Sequence, residues 1–182
     1  MKILVPLADG HEEIEAITII DVLRRAGIEV ITAFINQKEV NGAHNIKITA
    51  DINISSVDAN KLDGVVLPGG MPGAKNLKNN KILINLIQKL NQRKKMLAAI
   101  CAAPIVLETA GIIEGKKATS YPGFNEEMPS CLYQQEERVV VDDNIITGRG
   151  PGVALEFAIT LVEYLIGNKE AVELKEKMLT NF

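Results

Sequence analysis

Met96-Leu97-Ala98-Ala99-Ile100-Cys101-Ala102-Ala103-Pro104 is the stretch on which the fold turns. Met96 to Ile100 is a short, unbroken apolar run, the pattern of a strand buried on both faces. Ala102 to Ala110 reads as a helix, and Pro104 is tolerated there only within the first turn. The segment is therefore a strand that turns sharply into a helix, with Cys101 at the corner. Unpaired backbone N–H groups and the positive end of a helix dipole would face the thiol. Such surroundings favour the thiolate, which is the reactive form. The alternative is a cysteine acting as a small apolar core residue, as most free cysteines do. This segment alone leaves both readings open.

On either side of this corner, strand-like and helix-period runs alternate. Lys2–Ala8 is a first strand, rich in Ile, Leu and Val. Glu12–Ala26 follows, with Ile14, Ile17, Ile20 and Leu23 plus Ile19 and Val22, a stripe wide enough to predict a helix buried over much of its surface. Gly27 is placed as a C-cap. Ile28–Ile35 is a second strand. Val40 to Ile54 alternates, and Asn41-Gly42 is a hairpin signal. Gly64–Leu67 is a buried strand stopped by Pro68-Gly69-Gly70. Lys81–Leu90 is an amphipathic helix. Two short strands flank Asp142-Asp143, Gly152–Ile166 is a strong helix, and Lys169–Leu179 is a short terminal one. This alternation predicts right-handed crossovers and a mostly parallel sheet covered by helices on both faces, in one domain over residues 1–182. Ligands in such sheets sit beyond the carboxyl ends of the strands. Asp9–Glu15, Pro68–Gly70 and Cys101 all fall there.

Composition narrows the function classes. The 182 residues are 47% apolar, enough for a sizeable core. The net charge of −3 comes from 20 basic and 23 acidic residues without blocks of one sign. Neither nucleic acid nor an anionic membrane is expected as a partner. Tryptophan is absent and aromatic residues make up 4%, which argues against base-stacking surfaces. Two histidines and no CxxC spacing predict no metal site. Two cysteines make no disulfide framework, no secretory signal is read at Met1-Lys2, and no run is long enough to span a bilayer, so a cytoplasmic location is expected.

The residues that could carry chemistry lie at the predicted sheet edge. Glu12 and Glu13 suit a helix first turn, and Asp9 with Glu12 fits a capping box. Glu15 lies deeper, beside the apolar stripe, where capping does not account for it. A partly buried carboxyl beside a thiolate has its pKa raised and can donate a hydrogen bond to sulfur or shuttle protons. Three carboxylates and one glycine disfavour phosphate at this turn. Gly69-Gly70 is either a tight turn or a place where a backbone N–H reaches a reacting carbonyl, and with the Ala102 N–H it would form an oxyanion hole. Arg149-Gly150-Pro151-Gly152 reads first as a stiff helix entry, with Arg149 and Pro151 as a possible wall of the site. His11 is expected as an exposed loop histidine, His44 as a surface or interface residue, and Cys131 as an incidental thiol.

These segments, taken in order, resemble the ThiJ/PfpI superfamily, in the branch of the parkinsonism-associated deglycase and its bacterial relatives. The matching pieces are Gly10-His11-Glu12-Glu13-Ile14-Glu15, Asp21-Val22-Leu23-Arg24-Arg25-Ala26-Gly27, Val65-Val66-Leu67-Pro68-Gly69-Gly70, Ala98-Ala99-Ile100-Cys101-Ala102-Ala103-Pro104 and Arg149-Gly150-Pro151-Gly152. The resemblance implies a flavodoxin-like three-layer sandwich with a nucleophile elbow, and a homodimer. It implies Cys101 as an oxidation-prone nucleophile, Glu15 as its carboxyl partner, and Gly70 and Ala102 as backbone donors, without a cofactor. The remaining pocket candidates are Gly69, Tyr121, His11, Arg149 and Pro151. The activities it implies are glutathione-independent glyoxalase or protein deglycase chemistry on reactive dicarbonyls or their adducts. The alternative is a redox-sensing, stress-protective protein or chaperone in which Cys101 becomes a sulfinate. Ala102 stands where the protease-like branch has histidine, and no histidine follows Cys101 to complete an amidotransferase triad. Tyr121 stands where some relatives carry a pocket histidine, and a phenol is a poor base at neutral pH.

Overall fold

The computed structural model describes residues 1–182. Its strands are β1 (Lys2–Leu7), β2 (Glu29–Phe34), β3 (Glu39–Asn41), β4 (Lys47–Thr49), β5 (Ile52–Asn53), β6 (Gly64–Leu67), β7 (Met96–Ile100), β8 (Lys117–Ala118), β9 (Leu132–Tyr133), β10 (Val139–Asp142) and β11 (Ile145–Gly148). Its helices are α1 (Glu13–Arg25), α2 (Gly73–Lys78), α3 (Lys81–Gln92), α4 (Pro104–Thr109), α5 (Ala154–Ile166) and α6 (Asn168–Lys177).

Seven strands form one sheet in the order β10-β11-β7-β6-β1-β2-β5. Every pairing in it is parallel except β10 with β11. Strands β2-β1-β6-β7-β11 reproduce the flavodoxin-like order, which reverses between β1 and β6 and opens a crevice at their carboxyl ends. Helix α1 packs on α5, with α6 beyond it, while α2, α3 and α4 pack together on the other side. Covered on both faces, β6 and β7 bury every residue. That is why they read as unbroken apolar runs rather than as alternating ones. The expected α/β sandwich and mostly parallel sheet are present. No helix is long and apolar enough to cross a membrane.

Two local expectations are corrected. Helix α1 does not bury its whole stripe: Ala16, Ile19, Ile20 and Leu23 face the core, while Ile14 and Ile17 are exposed. The two sets lie on different sides of a 3.6-residue period, so one apolar sequence serves two faces. The hairpin β3–β4 also does not turn at Asn41-Gly42. Asn41 still belongs to β3, and the connection runs from Gly42 to Ile46. Asn45 takes the left-handed conformation there, at φ 64°, which asparagine tolerates better than most residues.

Candidate active site

Cys101 follows the last residue of β7 at φ 61°, a left-handed conformation that costs a non-glycine residue about 1–2 kcal/mol. Hydrogen bonds on both sides hold it there. The Cys101 N–H donates to Gly148 O at 2.9 Å, and its carbonyl accepts from the Tyr121 N–H at 2.9 Å. Backbone strain maintained in this way is the form of a nucleophile elbow, with the side chain lifted off the strand end. Pro104 occupies the first turn of α4, as its fixed φ requires.

The Glu15 side chain reaches the same point from α1 and is fully buried. Its Oε2 accepts from the Gly69 N–H at 2.7 Å, and the carboxyl lies against the Cys101 thiol. Its Oε1 is buried and completes no hydrogen bond. Burial raises the Glu15 pKa to about 7 against the pull of the Gly69 N–H. The Cys101 thiol is pushed up to about 12, first by burial and then by the charge of Glu15, while the Gly70 and Ala102 N–H groups stabilise its anion. The expectation that a helix terminus alone yields a ready thiolate is therefore corrected. Desolvation outweighs the N–H groups, and each acid suppresses ionisation of the other. Above about pH 7 the pair carries one negative charge and keeps one proton. Two N–H groups face the sulfur and one faces the carboxylate, whose second oxygen is bare. The lower pKa belongs to Glu15, so the charge rests on its carboxylate and the remaining proton on sulfur, with the thiol donating to the carboxylate.

The glycines set the spacing. A Cβ on Gly69 would lie 2.7 Å from the Cys101 Cβ and 2.9 Å from Glu15 Oε2, so no other residue leaves room for the pair. Gly70 has φ 86°, and its Cβ would collide with the Glu12 backbone.

The loop before α1 differs from expectation. His11 is buried at 1% exposure, with Nδ1 bonded to Ala8 O at 3.2 Å and Nε2 without a partner. Burial lowers its pKa. It is buried because β3 and the following loop cover it: His11 bridges to Gly42, and the Ala43 N–H donates to His11 O. The Asp9–Glu12 capping box is not formed. Asp9 Oδ1 accepts instead from the Asn41 N–H, 32 residues away. Glu13 does more than complement a dipole. It is buried and accepts from the His44 N–H and Nδ1 and from the Ile46 N–H. These bonds outweigh burial and hold its pKa at about 2. A Cβ on Gly42 would overlap this carboxylate. Glu12, Glu13 and His44 thus cluster within 4.8 Å, with the Glu13 oxygens already engaged. Periodicity gave no sign of this latch, because it joins residues about thirty apart.

Tyr121, Arg149 and Pro151 come together around a second space, a cavity of about 360 Å³ that also touches Arg138 and Gly152. Cys131 lies elsewhere, half-buried, its thiol donating to Met128 O.

Residues 1–164 match the family described as DJ-1/PfpI. The chain belongs to the DJ-1/PfpI family. Within it, the chain is 45% identical over 175 residues to Protein DJ-1 homolog B of Arabidopsis thaliana. That match covers 95% of this chain and only 40% of the plant protein, so the chain spans less than half that relative's length. It is 34% identical to the Caenorhabditis elegans protein named glutathione-independent glyoxalase DJR-1.2, over 94% of this chain and 91% of that one. The solved structure of oxidized Toxoplasma gondii DJ-1 superposes with a TM-score of 0.94 at 38% identity, covering 100% of this chain and 99% of that one.

Proposed function

We propose that this DJ-1/PfpI protein converts reactive dicarbonyls, or their early adducts, to hydroxy acids without glutathione, using Cys101 and Glu15. The observation that carries the reading is the buried thiol–carboxyl pair in contact among the Gly69, Gly70 and Ala102 N–H groups. Cys101 sulfur adds to the aldehyde carbon of methylglyoxal as Glu15 takes the thiol proton, forming the C–S bond while the carbonyl electrons move to oxygen. The Gly70 and Ala102 N–H groups hold that oxyanion, and the proton from Glu15 neutralises it. Glu15 then removes the proton on the former aldehyde carbon. The resulting enediol is reprotonated on the adjacent carbon, leaving a lactyl thioester. Water cleaves the thioester, releasing lactate and the thiol, so the sum is methylglyoxal plus water to lactate. The 34% identity to a protein named as a glyoxalase supports this class of reaction. The test is lactate formation from methylglyoxal by purified protein with no thiol cofactor added. An absence of lactate rejects the reading.

A second reading has its own support. The same N–H groups and a protonated Glu15 would stabilise a Cys101 sulfinate, and a solved relative is described as oxidized. Under mild peroxide, intact-mass spectrometry is expected to show two oxygens added at Cys101 ahead of Cys131 and the methionines. Even oxidation across all of them rejects sensing.

The partner proposed is a second copy of the chain. Ile14 and Ile17 on α1 are exposed, and so is Ile46, in the loop whose N–H bonds to Glu13 at the start of α1. Three exposed isoleucines carried by this helix and the loop bonded to it suit a buried interface. Sedimentation is expected to give twice the chain mass, and Ile17→Glu should give the single mass. A cytoplasmic setting, which suits two unpaired thiols, belongs to the same proposal.

A further inference from the structure

Arg138 and Arg149 face each other at the open end of the β10–β11 hairpin, where the Arg149 N–H donates to Arg138 O at 2.9 Å. Like charges placed directly opposite across a strand pair are unfavourable. Here they also share the wall of one cavity of about 360 Å³. Protein carboxylates offset them only in part. Arg138 spends its Nε–H on Glu156 at 2.7 Å. Arg149 lies 3.6 Å from Glu136, whose side chain is 80% exposed, a pairing of little strength. The Arg149 side chain is itself 31% exposed and so partly desolvated. A cavity walled by a partly desolvated Arg149, whose Nη1 donates only to the Glu136 carbonyl at 3.5 Å, and by a more exposed Arg138 matches an anionic oxygen ligand.

The cavity is tied to the reactive corner by backbone hydrogen bonds. Tyr121, on its wall, donates to Cys101 O, and Gly148, which precedes Arg149, accepts from the Cys101 N–H. Gly150 lacks the Cβ that would press on the Tyr121 ring at 3.2 Å, and a Cβ on Gly152 would meet nothing within 4 Å. The space is in the size range of small-molecule sites, roughly 300–1,000 Å³, and a three-carbon dicarbonyl would leave most of it empty.

We infer that the cavity between Tyr121, Arg138, Arg149 and Pro151 binds the carboxylate or phosphate of a substrate whose carbonyl is presented to Cys101. The preferred substrates are then anionic aldehydes or dicarbonyl adducts of acids, not free methylglyoxal. This rests on the dicarbonyl reading above for the word substrate, and on the arginine cavity alone for the anion.

Phenylglyoxal and its para-carboxylate differ by one anionic group. A charge-assisted hydrogen bond of ordinary strength gives the carboxylate form a kcat/KM about tenfold higher. Arg149→Gln brings the ratio close to one, and Arg149→Lys restores part of it. Independently of turnover, inorganic phosphate and acetate added to isotope-labelled protein at constant ionic strength shift the Tyr121, Gly150 and Gly152 amide resonances. A larger response to phosphate assigns a phosphate, and a larger response to acetate a carboxylate. Equal kcat/KM for the two glyoxals in the wild-type protein overturns the substrate role. Absence of amide shifts with either anion overturns the site. If neither glyoxal is turned over, the dicarbonyl reading fails and the anion titration still decides the cavity. Both wild-type measurements stand even where an Arg149 variant does not fold.

Discussion

Cys101→Ala is expected to lower lactate formation from methylglyoxal at least about a thousandfold, or about 4 kcal/mol at 1.36 kcal/mol per factor of ten. The loss is large because the whole route runs through the C–S bond. Without it, the N–H groups of Gly70 and Ala102 have no intermediate to hold, and Glu15 has no acidified carbon to deprotonate. The substitution should leave the fold intact. Alanine keeps the Cβ and the left-handed backbone, and the thiol is a small part of a core that includes all of β7. Far-ultraviolet circular dichroism and the urea midpoint verify the fold, and an enzymatic lactate assay reads the rate. A variant retaining even a tenth of the wild-type rate would exclude covalent catalysis by this residue.

Glu15→Gln separates the two acids. Glutamine can still accept from the Gly69 N–H and offer an N–H toward sulfur, yet it cannot transfer a proton. Turnover should fall about 10²- to 10⁴-fold, the usual contribution of a positioned acid or base. Alkylation of Cys101 by iodoacetamide, which needs no proton relay, should not fall with turnover, because loss of the Glu15 charge removes part of what holds the thiol pKa up. In the wild-type protein, kcat/KM should rise with pH through about 7, where the pair loses its first proton, and then stay level over the accessible range because the second proton is held to about 12. The limb at about 7 disappears in the variant. Stability moves the other way. The Glu15 pKa is raised from 4.5 to about 7 on folding, so between these values the folded state holds more protons than the unfolded one, and stability falls as pH rises. That contribution is fully present below 4.5 and lost above about 7, a span of about 3 kcal/mol at 1.36 kcal/mol per unit. Glu15→Gln should therefore be more stable than wild type at pH 8 and no more stable at pH 4. A variant that is less stable at pH 8 would show that the buried carboxylate is not a cost.

Much of the molecule was legible because it depends on short-range rules. β6 and β7 are unbroken apolar runs, as strands covered on both faces must be. Pro104 can stand only in a first helical turn, which located the corner and so Cys101. Glu15 stood out because capping did not account for it. What the chain could not reveal by itself comes from contacts between distant segments. His11 looked like a loop histidine and is buried, because β3 and its following loop lie over it. Asp9 looked like a cap and binds Asn41. Ile14 and Ile17 continued an apolar stripe and face outward. Arg138 gave no signal, yet the β10–β11 hairpin sets it opposite Arg149.

The sequence determined the order of strands and helices and the sheet edge to which the loops return, and it singled out Cys101 and Glu15 as candidates there. These follow from residue spacing and from the steric limits of proline and glycine, which act within a few positions. Tertiary structure alone decided the protonation of the pair and the shape of its surroundings. Burial and the placement of N–H groups depend on segments brought together from across the chain. A pKa measures that environment, which no local pattern contains.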